Sequence, residues 1–584
     1  MCRSSSRPTL ILSSLSLRVG GDPTLALCSG TDYSDEIKRG SDPHERSESR
    51  EAEPVTSHQS SRDSLLWLGS VFSLVAVFAF LNVTFLKPWT LSQDAYSGQW
   101  IFVGAIRGLL RPSARSFALL VSATVMMLRF RRLGISWQGF ESGSRLRVLV
   151  GASAVLLAWI YSTYEYNYFA NQAHLFDRIG LVFLALLSLW RPVFVGPFLL
   201  LLWPMLGQFN TPIRGASWAI PFLPARVLLL FFSYFLLGLT RRAKPVEWPS
   251  QHVFFVLLCM LAGHYISSGY GKLTSGWLLN DQLYYLLPNT YANGWLAFVE
   301  PRVIDRFAGY LSTANLGLKG LVILAEVGAI FVLWQPRVTQ GFLLLWTTFH
   351  IGVALVSGIA FWPWLVVHLT VFAALRKEQL ALPVSGKRFA FIVSMILIGS
   401  ASLWVRPVNL TWIDSPANYS YRMSLVDENN ETSEVPPSFM APFEYRFTAG
   451  AFHFLSPDPV IPVGWGATRL PIYEKLKTIS SAEDVLRVEA KIGEDGYDEK
   501  QVDQFSNFLA VYFQNRNGRK GTIPKWLRAP MRLWTVAAQG EQVPEGPIRE
   551  VRITQVLTAT IQGRYQVIRS RRVLTVEVPM THGE

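Results

Sequence analysis

Lys272 closes an apolar stretch, within the run Tyr265-Ile-Ser-Ser-Gly-Tyr-Gly-Lys-Leu-Thr-Ser-Gly-Trp277. A cation beside hydrocarbon either snorkels to water or is put to use. In the first case Lys272 anchors its helix next to an interfacial Trp277. In the second, apolar surroundings make a lysine a usable base or nucleophile at neutral pH. Tyr265 lies seven residues earlier, on the same helical face, and glycines at 269 and 271 admit close approach of a backbone or ligand. Glu326 and His350 each fall in the middle of another apolar stretch, where an ionisable group marks a functional site by default. Glu326 is expected to pair with Lys272 or His350, or to hold helices together. His174 stands just before a further apolar run, in Asn171-Gln-Ala-His174-Leu, where an imidazole is either an interfacial polar group or an acid–base group. His264 and His368 also sit on apolar stretches and read as structural.

The elements that position these groups are apolar runs. Half of the 584 residues are hydrophobic and 16% are charged, with 37 Phe, 20 Trp and 20 Tyr. That balance describes a polytopic membrane protein. The runs are Leu65–Leu86, Ser116–Phe130, Leu146–Tyr168, Ile179–Trp190, Val193–Gly207, Pro224–Leu239, His252–Gly271, Leu318–Trp334, Gly341–Ser357, Ile359–Leu375 and Phe389–Val405. They predict an all-α bundle of about 11 spans over residues 63–405, some short enough to be half-helices. Residues 1–62, rich in Ser, Arg, Asp and Glu, read as a disordered N-terminal extension. The formal net charge of +13 comes largely from loops such as Arg129–Arg132, Arg241–Lys244 and Arg376–Arg388. By the positive-inside rule those loops are cytoplasmic, which puts Lys272 and everything after Val405 outside. No nucleic-acid-binding signature accompanies the charge. The three cysteines, Cys2, Cys28 and Cys259, have no metal-ligand spacing, so no metal is expected.

Residues 406–584 change character and predict an extracytoplasmic, strand-rich α+β domain. Asn418–Val426, Phe443–Leu455, Val551–Thr560 and Tyr565–Val578 read as strands, the last two around a turn at Gly563. Ser480-Ser-Ala-Glu483 resembles a capping box. Phe505, Phe508, Leu509, Tyr512 and Phe513 follow the helical period.

The run around Lys272 resembles the Tyr/Phe-x-x-x-Gly-x-x-Lys-Leu-x-x-x-Trp phrase of the vitamin K-dependent gamma-carboxylase superfamily, which includes proteins with the horizontally transferred transmembrane (HTTM) domain. Asn171–His174, and Phe349-His350 followed by Gly358-Ile-Ala-Phe361, resemble two further landmarks of that family. The likeness covers roughly residues 174–375. It implies a carboxylase- or epoxidase-like enzyme working with a reduced, vitamin K-like quinone. Lys272 would be the base that deprotonates the quinol, with His350 and His174 as further catalytic groups. Tyr265, Glu326, Trp277 and Phe361 would surround the cofactor. The family's site places two lysines together, whereas this chain has Gly271-Lys272.

The alternative is a non-catalytic lipid- or quinone-binding membrane protein on the same scaffold. A lipid-linked glycosyltransferase needs acidic residues in its first outer loop, and Leu86–Arg115 offers only Asp94. A transporter would favour inverted repeats, which the sequence lacks. A largely apolar cavity is expected among Trp277, Phe361, Trp362 and Trp364, sized for a lipid or quinone and faced by Lys272.

Overall fold

The computed structural model describes residues 57–85, 91–109, 113–129, 133–140, 142–164, 166–209, 222–240, 250–375, 387–407, 411, 413–440, 443–450, 452–466, 468–518, 523–530 and 546–580. The apolar half is helical: α1 (Ser57–Phe85), α2 (Gln93–Ser97), α3 (Ile101–Leu109), α4 (Ala114–Leu128), α5 (Gly143–Ser162), α6 (Leu175–Trp190), α7 (Val195–Gly207), α8 (Phe222–Thr240), α9 (Gln251–Thr274), α10 (Gln282–Ala292), α11 (Pro301–Glu326), α12 (Pro336–Ser357), α13 (Trp362–Ala374), α14 (Lys387–Gly399) and α15 (Ala401–Trp404). Each expected apolar run is built mainly of helix. Among the described residues, six helical stretches are long and apolar enough to cross a bilayer: Ser64–Phe85, Gly143–Ser162, Phe222–Thr240, Gln251–Thr274, Pro301–Phe331 and Pro336–Ser357. The other runs form shorter helices, such as the 13-residue α13, below the ~20 residues of a straight crossing. Ser57 already belongs to α1, so the helix begins inside the stretch expected to be a disordered extension. The loop segments 130–132, 241–244 and 376–377, and both N-terminal cysteines, lie outside the described residues.

The centre of the bundle is α9. Every residue from His252 to Tyr265 is buried, which is why this helix is apolar on all faces. Packing is close enough that a Cβ on Gly263 would meet the Ala401 methyl at 2.4 Å.

After Val405 come β1 (Ala417–Asp427), β2 (Thr432–Val435), α16 (Glu444–Thr448), α17 (Leu470–Leu476), α18 (Ala482–Ile492), α19 (Glu499–Asn517), β3 (Ile548–Ile561) and β4 (Arg564–Glu577). The strands form one antiparallel sheet in the order β2-β1-β3-β4. Gly563, at φ 77°, makes the β3–β4 turn, and all five apolar residues of the α19 stripe are buried. Phe443–Leu455 is not a strand: it forms α16, a turn at Gly450 with φ 61°, and a 3-10 turn at His453–Leu455. Phe443, Phe447 and Phe452 lie against Phe505 and Phe508 of α19, and burying three rings on one helix outweighs β propensity. The cap of α18 falls one residue later than expected, with Ser481 accepting from the Asp484 N–H.

This region packs on the bundle, and Ser57–Glu584 forms one compact unit. Asn515 donates to the Tyr168 carbonyl at 2.8 Å, and the Trp159 and Trp362 indoles donate to Leu527 and Pro530. Trp277, Ile413 and Tyr473 share a small core. The C-terminal region and the Lys272 end of α9 therefore lie at the same end of the bundle.

Candidate functional site

Lys272 is buried near the end of α9, and its Nζ donates to both carboxylate oxygens of Glu326, at 2.7 and 2.9 Å. Glu326 is the last residue of α11 and is also buried. The helices come together because position 269 has no side chain: a Cβ there would meet Val327 Cγ2 at 2.9 Å and Glu326 Cβ at 3.0 Å. Lys272 also lies over the Trp277 ring, with Nζ 5.7 Å from its centre. Lys319 approaches the same ring at 5.5 Å and donates to the carbonyls of Leu278 and Asn280. Two cations thus share one indole face or edge at the mouth of the bundle, an arrangement that cation–π attraction favours.

Two turns deeper on α9, the Tyr265 hydroxyl bridges two imidazoles, with His350 Nε2 at 2.8 Å and His368 Nε2 at 3.3 Å. A phenol has one proton, so it donates to one ring and accepts from the other. With both rings neutral, the histidines must then be opposite tautomers. Among the described residues their Nδ1 atoms are buried without a partner, and one of them carries an N–H left unpaired there. Such an arrangement holds an unsatisfied donor at a cost of about 1–3 kcal/mol. Trp346 stacks on Tyr265 at 4.3 Å and donates to the Ala325 carbonyl, next to Glu326. It links the two polar groups. Phe361 and Trp364 pack on His350 at 4.8 and 5.5 Å. Trp364 also meets His264 edge-on, whose Nε2 accepts from Arg226 at 2.7 Å. Arg226 in turn donates to the Arg406 carbonyl.

Lys272, Glu326, Trp277, Tyr265, His350 and Phe361 are thereby brought to one side of α9. His174 is placed elsewhere, at the head of α6, which packs mainly on α5 and α7. It is buried in a left-handed conformation, φ 50°, with neither ring nitrogen partnered among the described residues. Beside it, Asp177 caps α3 by accepting from the Ile101 and Phe102 N–H groups, and Arg178 lies on the Tyr164 ring at 3.9 Å. His368, Trp346, Lys319 and Arg226 are the partners that sequence reading undervalued. Phe361, Trp364 and His368 share an i, i+3, i+7 face, and that spacing is the signal for the third histidine.

An apolar cavity of about 180 Å³ sits between α1, α4, α7 and α8, lined by residues such as Phe85, Leu119, Trp203 and Phe232. A second, of about 340 Å³, lies between the α10–α11 turn and the sheet. Neither is lined by Lys272, Glu326, Tyr265 or His350. The Trp346, Trp364 and Phe361 rings pack on Tyr265 and His350. The donor set suits a quinone in kind, with lysine, phenol and imidazole present. Among the described residues, no cluster of His, Cys, Asp and Glu could hold a metal ion. No family model, curated protein or solved structure matches the chain.

Proposed function

We propose that this chain is a multi-pass membrane protein of the HTTM, carboxylase-like type that serves as a binding protein rather than as a quinol-oxidising enzyme. The observation that carries this reading is the two-pronged hold of Glu326 on Lys272. The lysine amine is committed to a protein carboxylate through both of its oxygens and is not free to meet a quinol hydroxyl. In this reading the ion pair and the Tyr265–histidine bridge fix α9, α11, α12 and α13 against one another, and the C-terminal region stands outside the cytoplasm. The discriminating experiment is amine acylation of the full chain in nanodiscs at neutral pH, read by mass spectrometry. Lys272 is expected to stay unmodified in the wild type and to react in Glu326→Gln. Modification of wild-type Lys272 would reject the binding-protein reading.

The enzyme reading draws support from one feature, the two buried and unpartnered Nδ1 atoms of His350 and His368. Together with Tyr265 they form an acid–base set inside a membrane bundle, where such groups serve proton relays.

A further inference from the structure

We infer that the 180 Å³ cavity between α1, α4, α7 and α8 holds one acyl chain of an anionic phospholipid, whose phosphate rests on Arg115. The inference goes beyond the binding-protein reading, since it concerns another flank of the bundle and is independent of the role of Lys272. The shape of the cavity sets the chain. Leu119 and Met126 line it along α4, and Gly196 and Trp203 line it along α7. Each pair is seven residues apart, so the space runs roughly 10 Å along both helices. Phe85 packs on Trp203 at 5.1 Å at one end. The result is a slot parallel to the helix axes, the direction in which acyl chains run. Its volume is below the roughly 300–1,000 Å³ of sites for compact small molecules.

The lining is apolar. Its one hydroxyl, that of Ser122, is turned back on its own helix and donates to the Ala118 carbonyl at 2.8 Å. An apolar cavity of this kind stays dry and takes an apolar guest. Ala123, in the lining, is itself exposed, and so are Phe117 and Leu120 beside it on α4. The slot therefore opens on an apolar surface, which in a membrane protein faces hydrocarbon. The head group is set by Arg115. It precedes Leu119, Ser122 and Met126 by four, seven and eleven residues, and so shares their face of α4. Its Nε donates to the Thr84 carbonyl at 3.1 Å, and the next residue, Phe85, lines the slot. The guanidinium thus stands at the mouth, where it matches a phosphate in charge and in donor geometry. A zwitterionic head group brings its own cation to the same place, and an anionic one does not.

Native mass spectrometry tests this, on the full chain released from nanodiscs of phosphatidylglycerol and phosphatidylcholine in equal parts. The wild type should carry one phosphatidylglycerol, in about 10-fold preference to phosphatidylcholine, the equivalent of one charge-assisted hydrogen bond. Arg115→Gln should keep a bound lipid and level the preference. Ser122→Phe, which puts a ring into the slot, should lose the lipid altogether. Arg115 is partly exposed, so its variant stays informative if Ser122→Phe folds poorly. The inference is overturned if the wild type carries no lipid or carries both kinds equally, if Arg115→Gln keeps the preference, or if folded Ser122→Phe keeps the lipid.

Discussion

At the scale of single residues, the balance of forces at Lys272 decides most. Taking two charges out of water costs several kcal/mol per ion, and the mutual attraction repays it only while both partners are present. Glu326→Ala should therefore destabilise the bundle by about 3–5 kcal/mol, whereas the double change Lys272→Met with Glu326→Leu should cost much less. Chemical unfolding in mixed micelles measures both. A double variant as unstable as Glu326→Ala would mean that the pair itself, rather than the stranded charge, holds the helices. That Glu326 needs a partner was legible in the sequence, because a carboxylate in an apolar stretch must find one; the choice of Lys272 over His350 was not. Lys319 was not legible either, because a lysine at the start of an apolar run reads as a snorkelling interfacial group, and only the fold turns it toward Trp277. His368 was undervalued for a related reason: a lone histidine on an apolar helix carries no mark of the phenol that will reach it.

Among the elements, the C-terminal strands β1, β3 and β4 followed from alternation and from the glycine turn, and α19 from its aromatic stripe. Phe443–Leu455 did not, since five aromatics in thirteen residues suit a strand until α19 offers three of them one face. His453 at the end of that stretch is half-buried, bonded to Tyr421 and to the Val463 carbonyl, with Tyr419 and Arg446 also near. Burial holds its pKa below the ordinary value, and the Arg446 charge adds to that. The folded state thus binds a proton less readily here than the unfolded chain, whose histidine titrates near ~6.5. Between the depressed value and ~6.5 the unfolded chain holds more protons, so stability falls as pH falls through that window. Thermal melts of the wild type should decline from pH 7 to pH 5, and His453→Gln should flatten that slope. An unchanged slope in the variant would assign the decline to other groups.

For the whole molecule, the membrane character followed from composition, and the helical nature of each run from its length and apolarity. The number of crossings was not legible, because helices such as α13, α14 and the Asp177-bearing α6 are apolar yet too short to count by length. Sidedness rests on the basic loops. Cysteine labelling from outside intact cells should reach an introduced Cys at Ser480 and fail at Ala243, and the reverse would invert the orientation. Whether Lys272 serves its partner Glu326 or a quinol is decided by aerobic oxidation of a reduced naphthoquinone by the purified full-length protein in nanodiscs, compared with Lys272→Ala. No oxidation above the empty-disc background is expected in either protein. Turnover by the wild type that Lys272→Ala abolishes would contradict this and establish the lysine as a base.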